Sequence, residues 1–190
     1  MADFDHIIDF WIKEVGPNSW YSGTPDLDAR IQRLFMNDWE VALAGGYTEW
    51  AETSLGSLAY LILTDQFPRN MFRDDARAFA TDANALTVAK QSIRKDFDLE
   101  IHGEEQQFFY MPFEHSELIA EQDNAVFYME NRMRNGDTLI LHAKVHHNII
   151  TKFGRFPYRN KVLGRMSTED EFHFLSNNGY QTLLKKLEKT

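Results

Sequence analysis

The chain has no cysteine, which rules out a disulfide framework, a thiol nucleophile and a thiolate metal site. It also lacks any run approaching the roughly 20 apolar residues that span a bilayer, so no membrane partner is expected. Basic residues are outnumbered by acids: the 190 residues carry a formal charge of −9, which argues against general affinity for nucleic acid or anionic membranes. A local basic cluster could still hold one small anion. The opening Met1-Ala2-Asp3-Phe4-Asp5 has acids where a signal peptide carries Lys or Arg, so a soluble cytoplasmic protein is expected. No stretch rich in Pro, Gly or Ser divides the sequence, which predicts one domain over 1–190 with a polar, lysine-rich tail from about 177.

What is present is helical periodicity, with no convincing strand alternation. A first helix is expected from about Asp3 to Val15, with Phe4, Ile7, Ile8, Trp11 and Ile12 on one face, and Gly16-Pro17-Asn18 stops it. A second starts at Pro25 and runs through Ile31, Leu34 and Phe35 to about Ala44. A third spans Thr48 to Gln66, with Leu55, Leu58, Ala59, Ile62 and Leu63 apolar, and Pro68 is expected to prevent its continuation. Asp74 or Asp75 can cap a fourth, reaching Lys95, whose stripe is Phe79, Ala83, Leu86 and Ile93. Further helices are expected over 103–110, from Ser116 to Met133 with an end near Asn135-Gly136, from a capping Asp137 to Phe153 before Gly154, and after Ser167-Thr168-Glu169. Consecutive helices with short loops indicate an all-α bundle or solenoid.

Several polar residues break the rules that place the others. Asp65 lies in a last helical turn, where exposed carbonyls disfavour negative charge, and beside an apolar stripe. It reads either as a salt bridge to Arg69 or Arg159, or as a functional carboxylate. In the helix 137–153, His142 and His146 fall one turn apart on the face of Leu139, Ala143, Ile149, Ile150 and Phe153. Buried imidazoles must be hydrogen-bonded, metal-bound or exposed to a pocket. The Glu-x-x-His and His-Glu-x-x-His zinc signatures are absent, so no metal is expected. In Tyr110-Met111-Pro112-Phe113-Glu114-His115-Ser116-Glu117, Glu114 and His115 offer an acid and a base at a helix entrance, or simply a polar turn, and Ser116 could cap the following helix. Phe67-Pro68-Arg69-Asn70 is echoed by Phe156-Pro157-Tyr158-Arg159-Asn160, with Arg73, Arg155 and Arg165 nearby. Converging guanidinium groups suit phosphate or carboxylate, and they equally suit helix ends and acidic partners.

Four segments, Asp-Gln-Phe-Pro-Arg-Asn at 65–70, Arg-Ala-Phe-Ala-Thr-Asp at 77–82, Tyr-Met-Pro-Phe-Glu-His-Ser-Glu at 110–117 and Phe-Gly-Arg-Phe-Pro-Tyr-Arg-Asn at 153–160, resemble the bacterial domain-of-unknown-function 924 family. The resemblance runs from Ile8-Asp9-Phe10-Trp11 to Glu171-Phe172. It implies an all-α, right-handed stack of antiparallel helix pairs, similar to tetratricopeptide-repeat proteins, and implies no established reaction or ligand. The family's second proline element usually has His where Tyr158 stands, and His146 matches the family's histidine upstream of it, so His146 is favoured over His142 and His147.

The reading taken forward is a binding domain. Asp65, Arg69, Asn70, Glu114, His115, His146, Arg155, Arg159 and Asn160 would line a polar pocket for a small anionic ligand or a peptide carboxylate. The alternative is a hydrolase or phosphoryl-transfer enzyme with His146 as general base, oriented by Glu114 or Asp65. A third possibility is that the motifs are purely structural. No Walker loop, dinucleotide fingerprint or nucleophile elbow is present, so no cofactor is expected.

Overall fold

Helical periodicity is realised as helix throughout the computed structural model, which describes residues 4–133 and 136–189. The protein is all-α: among the described residues there is no strand, and no helix is long and apolar enough to cross a membrane. The expectations placed on Met1 to Asp3, Asn135 and Thr190 lie outside the described residues. The chain divides into two compact units, Met1–Pro112 and Phe113–Thr190.

In the first unit, α1 (Asp5–Ile8) runs into a π turn over Asp9–Val15 that ends at Gly16, whose φ of 70° favours glycine. Ile7, Phe10 and Trp11 are buried, whereas Ile8 and Ile12 are only partly so. The i→i+5 bonding of a π turn shifts its side chains from the positions a regular helical wheel assigns. Helix α2 (Pro25–Leu43) has Pro25 at its start and Thr24 as cap, accepting from the Leu27 N–H at 3.3 Å. Ile31, Phe35, Trp39 and Ala42 are buried, while Leu34 lies on the exposed side.

The third expected helix is three elements: a 3-10 turn at Thr48–Glu52, α3 (Ser54–Leu61) capped by Thr53, and a π turn at Ile62–Gln66. Leu55, in the first turn of α3, is exposed. Pro68 does not stop the chain, which continues as α4 (Phe67–Met71). A proline inside a helix removes one N–H and crowds the carbonyl four residues back, here that of Thr64. The π turn makes room, with the Phe67 N–H bonding to Ile62 O. The Thr64 carbonyl instead accepts the buried Thr81 hydroxyl at 2.6 Å, and that hydroxyl oxygen accepts the indole N–H of Trp39 at 3.2 Å.

Asp75, accepting from the Arg77 N–H at 2.8 Å, caps only a 3-10 turn over Ala76–Phe79. Helix α5 (Asp82–Arg94) begins after it and buries Ala85, Val88, Ala89 and Ile93. The break changes the helical phase, so Ala83 is exposed rather than on the inner stripe. Two 3-10 turns, Phe97–Glu100 and Glu104–Phe109, complete the unit up to α6 (Met111–Glu114), within which the division between the units falls.

In the second unit, α7 (Ile119–Arg132) starts three residues after Ser116, which accepts the Leu118 N–H at 3.2 Å and so shapes the turn instead of capping the helix. Fully buried Gln122 donates to the carbonyls of Glu114 and Ser116, both at 2.6 Å, fixing the backbone that carries Glu114. Helix α8 (Asp137–Phe153) has the expected bounds, but Gly136 occupies the cap position and Asp137 is its first residue. Gly154, at φ 67°, closes it with its N–H on Ile150 O at 2.8 Å. Helix α9 (Glu169–Ser176) carries a capping box in which Thr168 and Glu171 satisfy each other's backbone. Residues 179–187, set apart in the sequence as a polar tail, form α10 (Gly179–Leu187). Its Tyr180, Leu183, Leu184 and Leu187 pack on the core of Val145, Ile149, Ile150 and Phe156.

Thr81→Val keeps the shape of the side chain but leaves the buried Thr64 carbonyl and the Trp39 indole without this partner. It should cost about 1–3 kcal/mol in urea unfolding. A loss within error of zero would show that the hydroxyl is not what accommodates Pro68.

Candidate functional site

Helix α8 sets His142 and His146 one turn apart on the side that faces the core, next to Ala143, Ile149 and Ile150. The α6 turn, held by Gln122, brings Glu114 to the same place. Glu114 Oε1 lies 2.5 Å from His146 Nδ1, and the two side chains are 6% and 13% exposed, so solvent screens this pair little. The His146 ring is edge-on to Phe156 at 5.2 Å and to Tyr180 at 5.5 Å, and His115 is 6.4 Å away. The Tyr180 hydroxyl is 2.6 Å from His142 Nδ1. Arg159, buried, stacks its guanidinium 4.4 Å over Phe156.

The electrostatics follow from this packing. Burial pushes the Glu114 carboxyl up, but the charge and contact of His146, then the charges of His115 and His142, bring it below its ordinary value. Glu114 is therefore held as an anion. Burial, then the negative charge of Glu114, raises Tyr180 well above an ordinary phenol. Its hydroxyl keeps its proton and can donate to His142 or accept from it.

The remaining residues singled out in the sequence form two other networks. In the first unit, Asp65 is 1% exposed, accepts the Gln66 amide at 2.5 Å, and lies 3.4 Å from Arg69, which is also 3.1 Å from Asp82. Arg69 further donates to the Asp65 carbonyl. Asn70 donates to Asp28 at 2.8 Å, and Arg73 holds the same carboxylate with two hydrogen bonds, at 2.7 and 2.8 Å. In the second unit, Arg155 grips Glu171 through two bonds at 2.7 and 2.8 Å, and Asn160 donates to Glu171 at 3.2 Å. Thus both Phe-Pro elements end in an asparagine that binds an arginine-held carboxylate. Of the nine expected pocket residues, Glu114, His115, His146 and Arg159 gather around the α8 histidines. Arg155 and Asn160 brace the loop below, and Asp65, Arg69 and Asn70 belong to the first unit. His147 instead pairs with Asp123 at 2.8 Å. Among the described residues, no three His, Asp or Glu side chains are grouped as metal ligands would be.

Three contributors were missed. Tyr180 was readable in principle, since Tyr180, Leu183, Leu184 and Leu187 have the i, i+3, i+4, i+7 spacing of an inward helix face. Glu171 was readable as the third residue after Thr168, where a capping box places Glu. Glu117 had no local signal: it binds Arg165 through both oxygens, at 2.6 and 2.9 Å, and accepts the Phe156 N–H at 2.8 Å across 39 residues of chain.

Hydrogen bonds from Arg155, then from the Thr168 N–H and Asn160, outweigh burial and bring Glu171 from 4.5 down to about 2. Its stabilising contribution is complete above pH 4.5 and is lost as pH falls toward about 2. Glu171→Gln should therefore cost about 1–3 kcal/mol at pH 7 and distinctly less at pH 3, measured by urea unfolding at both. An equal cost at the two pH values would refute the charge-based role. The depressed Glu114 carboxyl has the same sign, so Glu114→Gln should likewise weaken the loss of stability on acidification below pH 4.5.

The fold is shared with a known protein. The protein of unknown function ATU0120 from Agrobacterium tumefaciens has a solved structure that superposes with a TM-score of 0.86 at 35% sequence identity, covering 92% of this chain and 97% of that one. No match was found among curated proteins. The family profile described as bacterial protein of unknown function (DUF924) matches residues 7–179, and the chain belongs to that family.

Proposed function

We propose that the second unit is a binding module for a small ligand with an anionic group, a phosphate or a peptide carboxylate, centred on Glu114 and His146. The observation that carries this reading is the 2.5 Å approach of two nearly buried side chains, Glu114 Oε1 and His146 Nδ1. A carboxylate taken out of water needs opposite charge. Here one carboxylate faces three imidazoles, those of His115, His142 and His146, with Arg159 one ring beyond. These cationic or hydrogen-bonding groups outnumber the one carboxylate among them, and an anionic ligand would add the acceptor that the set favours. Arg155, Arg165 and Arg69 already have carboxylate partners, which assigns them to bracing.

A second reading has support in the same contact. If the Nδ1 proton turns to Glu114, which lies 2.5 Å away, Nε2 is left as the nitrogen through which His146 would exchange a proton, the arrangement of an oriented general base. Hydrolysis or phosphoryl transfer would use it, and activity on phosphoesters or carboxylesters that disappears in His146→Gln would favour this reading. For the chain as a whole, we take a cytoplasmic protein of one domain, with a tetratricopeptide-like stack of helix pairs and no nucleic-acid partner. The acidic composition and the absence of a linker at the division within α6 support this reading.

Inorganic phosphate, titrated at constant ionic strength, should raise the melting temperature progressively, because a ligand bound only by the folded state stabilises it by mass action. His146→Gln and Arg159→Gln should still melt cooperatively and lose that rise. A rise retained in both variants would remove this cluster from the binding site. No rise with phosphate, sulfate or acetate would end the anion reading.

A further inference from the structure

The last turns of α8, helix α9 and the start of α10 enclose a cleft of about 430 Å³ that shares no residue with the Glu114–His146 cluster. Its exposed wall is mostly apolar, made by Ile149, Phe153, Phe174 and Leu183, with Phe153 edge-on to Phe174 at 5.1 Å, while Asn148, Thr151, His173, Asn177 and Thr182 add polar groups to its lining. Small-ligand pockets of roughly 300–1,000 Å³ have this make-up, mostly apolar with a few placed polar groups. Gly179 shapes one side: a Cβ there would lie 2.1 Å from the Phe174 ring, so glycine is what lets that ring lie against the first turn of α10.

Lys152 lines the cleft and is exposed to water. Its ammonium lies 4.8 Å over the Phe153 ring and has no carboxylate partner among the described residues. That contrasts with its neighbours in the unit, where Lys144 pairs with Glu130, Arg155 with Glu171 and Arg165 with Glu117. In a chain with 29 acids against 20 basic residues, partners for a lysine are abundant. A cation left uncommitted beside an apolar cavity is complementary to a ligand with a negative head and an apolar tail.

We propose that this cleft binds a small amphipathic carboxylate of medium-chain fatty-acid type. The carboxylate meets Lys152 Nζ and the tail lies among Ile149, Phe153, Phe174 and Leu183. This site is independent of the anion reading at Glu114–His146, because that reading needs no apolar tail.

The test is amide NMR of the full chain titrated with octanoate below its micelle concentration. Octylamine, with the same tail and opposite charge, and acetate, with the head alone, serve as comparisons. Octanoate should shift the amides of Lys152, Phe153, Phe174 and Leu183 saturably, while acetate leaves those four in place and octylamine binds more weakly. Lys152→Met keeps the apolar stem at an exposed position, so the fold is preserved. It should weaken octanoate roughly five-fold, the contribution of one exposed ion pair. Octanoate shifts centred on His146 instead, equal binding of octylamine, an unchanged affinity in Lys152→Met, or no saturable shift at all would each overturn the proposal.

Discussion

The constraint on which much of this structure depends is the need to satisfy buried backbone groups around the two Phe-Pro elements. At Phe67-Pro68 the Thr64 carbonyl loses its N–H donor, and Thr81 replaces it; one residue on, the Asp65 carbonyl accepts Arg69. At Phe156-Pro157 the N–H of Phe156 goes to Glu117 and its carbonyl accepts Arg165 at 3.2 Å. Unmet buried backbone groups cost as much as a lost hydrogen bond, so polar side chains are drawn into regions otherwise filled by aromatic rings. The arginines recruited this way need partners of their own, which Arg69 finds in the buried Asp65 and in Asp82, and Arg165 in Glu117 and the buried Asn160. Asn70 and Asn160 finish both elements in the same manner, each on a carboxylate already gripped by arginine.

That logic does not extend to Glu114 and His146. Neither caps a helix nor fills in for a proline, and in each the backbone has its own partners. Their pairing concentrates ionisable groups where burial amplifies every charge, with Tyr180 closing over the rings. Structural networks perturb acids as readily as functional ones do. What separates the two here is redundancy: Arg155, Arg165 and Arg73 each meet one carboxylate through paired hydrogen bonds, whereas one carboxylate at Glu114 serves three imidazoles.

Helix α10 connects both candidate sites of the second unit. Its first turn supplies Tyr180 to the histidine cluster and Gly179 to the apolar cleft, and Leu183 serves the cleft and the core together. None of its residues is fully buried, so it is held by a stripe of partial contacts on α8 and α9. Lys185 and Lys186 give it a polar look, yet the leucines at helical spacing decide its place.

The sequence alone determined the all-α class, the bounds of α8, the glycine that ends it, and the family, because periodicity, stop signals and long motifs are local properties. It also marked His146, a polar residue on a face that should be apolar, and Glu114, an acid beside His115 at a helix entrance. Only the tertiary structure decided that these two touch, since they are 32 positions apart and no local rule joins them. The same holds for Glu117 with Arg165 and for Tyr180 with His142. The continuation through Pro68 was likewise hidden, because the donor that makes it tolerable is the hydroxyl of Thr81, brought back by the packing of a later segment. Periodicity says which face turns inward, whereas the partner it meets there depends on how distant segments fold together.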